Sequence, residues 1–244
     1  MGGLKQLILR WGLVAFLAIL LEVSGGPFGL RPSSILISSA DLLSSGQLLP
    51  HLVRSLQEII VSFLLASILG VPLGVLLWKV SALGKMLEPY LVALYAVPLI
   101  LFYPFFLVLL GLGPAPIIVV ATAMGIIPIV VNTSVGLAQV RDVFHKLGRS
   151  MCCSRPQRYL KILLPAATPS IFTGLKLGFI YSLIGAVATE FITSNAGIGF
   201  SVYYHYNAFQ SDLMYAYMLV IVVLAALFNL LLGKAEAKIR REMT

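Results

Sequence analysis

Cysteine is nearly missing from this chain of 244 residues, which holds only Cys152 and Cys153. Adjacent in sequence, they cannot bridge without strain, and a disulfide framework, a zinc-type spacing and a C-x-x-C redox pair are all excluded. Charge is scarce as well. Asp, Glu, Lys and Arg make up 11% of the chain, against about a quarter in soluble globular domains. Apolar residues reach 59% and the mean hydropathy is +1.00, values of an integral membrane protein. Catalytic signatures are lacking too: there is no Walker-type glycine loop, no H-E-x-x-H and no nucleophile elbow. The sequence therefore predicts no catalytic residue, cofactor or metal on this chain, and any ATP chemistry belongs to a partner. The net charge of +8 would suggest nucleic acid on one polar face, but here the basic residues lie between apolar runs and set topology instead.

What is present is a series of long apolar runs. A bilayer core needs about 20 apolar residues per helix, because no water is there to satisfy backbone groups. The chain is expected to be all-helical, with about six membrane-spanning helices. Residues 59–78 and 213–233 carry no charge, and the uncharged stretch 89–140 is long enough for two helices. The run from Gly111 through Gly113 and Pro114 to Pro116 predicts a tight turn between those two. Residues 11–21 form a shorter run after Lys5 and Arg10, read as an uncleaved anchor in preference to a signal peptide. Residues 170–193 are long enough to span but contain Lys176 and Glu190. Between the first two spans, residues 31–46 read as a short amphipathic element on the outer surface. With no repeat or linker, residues 1–244 form one domain.

The basic residues set the orientation. Lys5 and Arg10, Lys79 and Lys85, the group from Arg141 to Lys161, and Lys234, Lys238, Arg240 and Arg241 all fall on one side, against Arg31 and Arg54 on the other. The positive-inside rule then places both termini in the cytoplasm. An even helix count, obtained separately, agrees by putting both termini on one side.

The loop at residues 140–166 is long and basic for such a chain. Pro156 favours an extended residue before it and suits the first turn of a new helix, so a helix, a bend and a second helix are expected along the membrane surface. Tyr159, Ile162 and Leu163 would face the bundle, with Arg155, Arg158 and Lys161 toward the cytosol.

This loop resembles the E-A-A loop of permease subunits of binding-protein-dependent ABC importers, whose pattern is E-A-A-x3-G-x9-I-x-L-P. Ile162, Leu163, Leu164 and Pro165 match its end. Counting back puts Cys152 at the family's glycine, Lys146 at its glutamate, and Leu147 and Gly148 at its alanines. Arg149, Ser150, Gln157 and the run from Pro165 to Gly178 are similar to the branch importing nitrate, sulfonates, taurine or thiamine-pyrimidine precursors. The similarity extends to Arg31-Pro-Ser, Leu69 to Gly74, Tyr95 to Pro98, Gly185 to Glu190, and Gly197-Ile-Gly199.

The resemblance implies a type I importer permease of MetI-like architecture in the cell inner membrane. It would act with a cytoplasmic ABC ATPase dimer holding ATP and Mg, an external solute-binding protein and a second permease copy, a homodimer being expected. The coupling element would comprise Lys146, Gly148, Arg149, Ser150, Cys152, Cys153, Ser154, Arg155, Gln157, Ile162 and Pro165. Cys152 tolerates positive φ poorly, so the bend is expected either to use ordinary dihedrals or to dock differently.

Ionisable groups within spans are costly and draw attention first. Lys176 and Glu190 lie about 21 Å apart along a helix and about 40° around it, so they share a face without touching. Lys176 is read as snorkelling to headgroups, with a gate or anion-attracting role as the alternative. Glu190 is read as a packing or dimer-interface partner, with substrate contact as the alternative. Glu22 and Glu58, at outer boundaries, are given no special role. Tyr203, Tyr204 and His205 read as belt aromatics, or else as lining an external gate. His51 and His145 are not placed well enough by sequence to make a metal site with His205. Pro98, Pro104 and Pro128 would kink or break their helices. With Asn132, Ser134 and Lys176, Pro98 would mark a modestly polar translocation path. The competing functions are an ion-coupled secondary transporter, which usually carries repeated halves, and a six-helix membrane enzyme, which needs convergent catalytic groups.

Overall fold

The computed structural model describes residues 12, 16, 19–23 and 31–242. The first apolar run and its flanking Lys5 and Arg10 thus lie largely outside the described residues. All regular structure among the described residues is helical. α1 is Pro32–Ser44, α2 Leu48–Lys79 and α3 Ser81–Ala96, followed by a 3₁₀ turn Leu99–Phe102 and α4 Tyr103–Leu110. Next come α5 Pro114–Ala138, α6 Asp142–Ser150, α7 Arg155–Arg158, a π-turn Tyr159–Leu163 and α8 Leu164–Thr193. The chain closes with α9 Ile198–Asn207 and α10 Ser211–Glu242.

Four helical segments are long and apolar enough to cross a membrane: Leu48–Lys79, Pro114–Ala138, Arg155–Ile192 and Ser211–Lys238. α3 with Leu99–Leu110 adds a fifth if counted as one broken span, bent by 84°. The break falls at Pro98. Val97 before it is extended, with φ −80° and ψ 123°, the conformation a following proline imposes. The predicted turn is found between Leu110 and Pro114, where Gly111 and Gly113 take positive φ of 75° and 146°.

Two expectations change. The connection before residue 59 is mostly helix, because α2 begins at Leu48 and α1 packs on α10, burying Leu42. Glu22 accepts hydrogen bonds from the Ser33 amide and hydroxyl at the start of α1. The second helix of the basic loop is also not a separate surface element. It runs through the π-turn into α8, so Arg155–Ile192 is one rod. Helical continuity is favoured there because Pro156 sits in the first turn, where no amide donor is required.

The core is a packed trio of α2, α5 and α8. Glycines let the backbones approach closely, as packing in lipid demands. A Cβ on Gly74 would sit 2.6 Å from Thr133 Cβ, and one on Gly178 would press into the Ile129 side chain at 2.5 Å. A Cβ on Gly125 would collide with Ser182 Oγ. Ile59, Tyr103, Val120, Ala121, Phe179 and Leu183 fill the adjoining apolar layer. Several hydroxyls within the spans bond to their own helix: Ser62 to the Glu58 carbonyl, Thr173 to that of Pro169 and Thr189 to that of Gly185. Such back-bonding keeps polar side chains satisfied without water.

Candidate functional site

The basic loop forms a compact corner. α6 ends at Ser150, and Cys152 turns the chain with φ 50°. A non-glycine residue thus holds a left-handed conformation here, and the expectation of ordinary dihedrals at the bend is corrected. Ser154 then caps the next helix: its Oγ accepts from the Gln157 amide, and Gln157 Oε1 accepts from the Ser154 amide. This capping box satisfies two amide donors that would otherwise lack partners. Gly148 supports the corner by proximity, since the stem of Arg158 lies where a Cβ would be, with Cγ at 2.7 Å. Cys152, Ser150 and Arg149 are exposed, as are Lys146, Arg155 and Gln157. Tyr159 stacks on Trp78 at 5.8 Å and Leu163 is buried, both as expected from helical spacing, while Arg158 is half-buried. Ile162 is half-buried and Pro165, opening α8, is exposed.

At the opposite end of the rod lies a buried polar cluster. Glu190, 0% exposed, accepts from Ser55 Oγ at 2.9 Å and from the Gly199 amide at 2.8 Å. Ser55 Oγ in turn accepts from the Ile198 amide at 2.8 Å. The N-terminus of α9 is thus capped by residues of α2 and α8, consistent with the affinity of helix N-termini for carboxylates. Gly197 at φ 108° and Gly199 leave the room: a Cβ on either would strike Glu190. The Gly197-Ile198-Gly199 motif is explained by this close approach. Glu58, 1% exposed, pairs with Arg54 at 2.6 Å and turns its carboxyl toward that of Glu190. Glu58 Oε2 and Glu190 Oε1 have no hydrogen-bond partner among the described residues. The expectation that Glu58 plays no special role is corrected, because α2 starts at Leu48, nearly three turns before it, and carries it inward. Ser55, Arg54 and Glu58 were the members that sequence did not single out. The one signal for them was Glu190 itself, a buried carboxyl that must find partners.

The other candidates are dispersed. Lys176 pairs with Glu236 of α10 at 3.5 Å. Asn132 donates to the Pro128 carbonyl and packs against Gly174. Ser134 lines a cavity of about 230 Å³ with Leu91 and Val131. Pro98 lines another of about 320 Å³ with Tyr95, Met124, Ile127 and Tyr181, at the broken helix. Tyr203 contacts Phe191, whereas Tyr204, His205, His51 and Tyr217 share a cavity of about 380 Å³. His205 stacks on Tyr217 and bonds Gln210 at 2.7 Å. No group of three or more His, Cys, Asp or Glu that could hold a metal occurs among the described residues.

Comparison with known proteins places this geometry. Residues 66–241 match the family described as "Binding-protein-dependent transport system inner membrane component". Among similar proteins, the nitrate import permease protein NrtB of Leptolyngbya laminosa is 30% identical, over 93% of this chain and 86% of its own. The putative aliphatic sulfonates transport permease protein SsuC of Bacillus subtilis is 25% identical over 98% of this chain and 87% of its own. A structure of the MetNI methionine ABC transporter in an inward-facing conformation shares the fold, with TM-score 0.69, 20% identity and coverage of 79% of this chain and 95% of that one. With most of its length inside the family match and its MetI-like helical fold, the chain belongs to the inner membrane permease components of binding-protein-dependent transport systems.

Proposed function

We infer that the chain is the translocation subunit of an ATP-driven importer, coupled at the corner around Cys152 to cytoplasmic ATPase subunits that hold ATP and Mg. One observation carries this: the corner is the end of a rod of 38 residues, Arg155–Ile192, about 57 Å long at helical rise. A displacement applied at the corner is delivered to Glu190 and the outer cluster without an intervening hinge loop. The cavity at Pro98, beside the rod at Tyr181, is the proposed path. Its lining offers no charged group, so selectivity for a small anion of the nitrate or sulfonate kind would reside in an external solute-binding protein. A second copy of the chain would complete the path, with both termini cytoplasmic.

Coexpression with ATPase subunits of this importer class tests this reading. The expected result is a complex stable in detergent whose ATP hydrolysis rises with the loaded binding protein; solute uptake by the chain alone in proteoliposomes overturns it. The orientation is checked by an impermeant maleimide, which should label exposed Cys152 from the cytoplasmic side only.

A further inference from the structure

A cavity of about 690 Å³ opens where α2 ends and the rod begins. Its walls include Val75 and Trp78 of α2, Tyr159, and three cationic side chains, Lys79, Arg155 and Arg158. Among the described residues, neither a hydrogen bond nor an ion pair engages these three cations. Three positive charges converging on one cavity without a carboxylate repel each other, and an anion entering it relieves that repulsion. The wall composition narrows the anion. Trp78 and Tyr159 stack at 5.8 Å with an interplanar angle of 25°, an aromatic pair of the kind that sits at headgroup depth. Val75 continues the wall along a span, where an acyl chain would lie.

The geometry points to a binding site for the phosphate of an anionic phospholipid, held by Lys79, Arg155 and Arg158 with its chains along Val75. Basic pockets between helices at the cytoplasmic boundary take such headgroups. The site rests on the membrane placement of α2 and the rod, not on the transport reading. Its consequence reaches that reading, because a bound lipid would brace the corner residues Arg155 and Arg158 against α2.

The test uses the full chain with Trp11→Phe, leaving Trp78 as the single indole of the two. It is placed in nanodiscs of phosphatidylcholine with brominated phosphatidylglycerol or, in parallel, brominated phosphatidylcholine. Quenching of Trp78 should give a preference for phosphatidylglycerol on the order of tenfold, reduced several-fold by Lys79→Gln or Arg155→Gln and brought near parity by both. Lys79 and Arg155 are exposed, so these variants keep the parent's melting temperature, and Arg155→Lys should retain the preference. Equal quenching by the two lipids overturns the site. Displacement of brominated phosphatidylglycerol by millimolar inorganic phosphate makes it a free-anion site and overturns the lipid. A preference that vanishes when ATPase subunits bind assigns the cations to that protein and overturns it as well.

Discussion

Ser55 and Glu190, 135 positions apart in sequence, meet at 2.9 Å in a fully buried contact that joins α2 to α8 and caps α9. Each group is the other's main satisfaction in a place without water. Glu190→Ala strands the Ser55 hydroxyl and the Gly199 amide and should cost about 1–3 kcal/mol for each. Glu190→Gln keeps an acceptor and should cost less. Thermal unfolding in detergent ranks the two; equal losses would remove the hydrogen-bonding explanation.

The glycine seam gives a graded expectation. Gly74→Ala must displace Thr133 Cβ and the Val130 carbonyl at 2.7 Å, whereas Gly46→Ala meets nothing within 4 Å and contends only with its positive φ. Overpacking of this kind costs about 1–3 kcal/mol. Gly125→Ala, facing both Ser182 Oγ and the Gly178 carbonyl, should fold worst, read as the monodisperse fraction on size exclusion.

Cys152 holds φ 50° without glycine's freedom. A left-handed residue costs roughly 1–2 kcal/mol with a side chain, so Cys152→Gly should stabilise the corner modestly. Cys152→Val, stiffer at its β-carbon, should destabilise it and lower ATP-dependent uptake. Uptake unchanged by Val would show that the corner's backbone does not matter to coupling.

Lys176 and Glu236 join α8 to α10 at 3.5 Å, each about a quarter exposed. Partly exposed pairs contribute up to about 1 kcal/mol. Lys176→Glu should lower the melting temperature by a few degrees, and adding Glu236→Lys should restore it. Restoration of stability without transport would reveal a further role for Lys176 along the path.

Lys146 stands where the family has glutamate, a reversed charge on an exposed face. If the partner ATPase compensates with an acidic residue, Lys146→Glu should lower uptake severalfold without altering the thermal stability of the chain. Unimpaired uptake would remove that compensation.

How much of this was legible can be judged residue by residue. The Gly111–Pro116 turn and the break at Pro98 were readable because proline and glycine act on their own backbone. The elbow before Pro165 was readable too, since capping and helical spacing are local. The inward turn of Glu58 was not. Nothing near it in sequence distinguishes a carboxyl at a span boundary from one buried against another helix. That depends on where Ser55 and Glu190 fall along two long helices, which the glycine contacts of α2, α5 and α8 set in register.

By itself, then, the sequence determined the apolar spans, the basic side and the elbow, since each follows from short-range chemistry and from transfer into lipid. Only the tertiary structure decided that Glu190 finds Ser55, that Lys176 finds Glu236 and that Lys79, Arg155 and Arg158 line one cavity. Side chains so distant in the chain meet only after helix packing fixes each rod's rotation and depth, and a sliding step of one turn, about 5.4 Å, would part every one of those pairs.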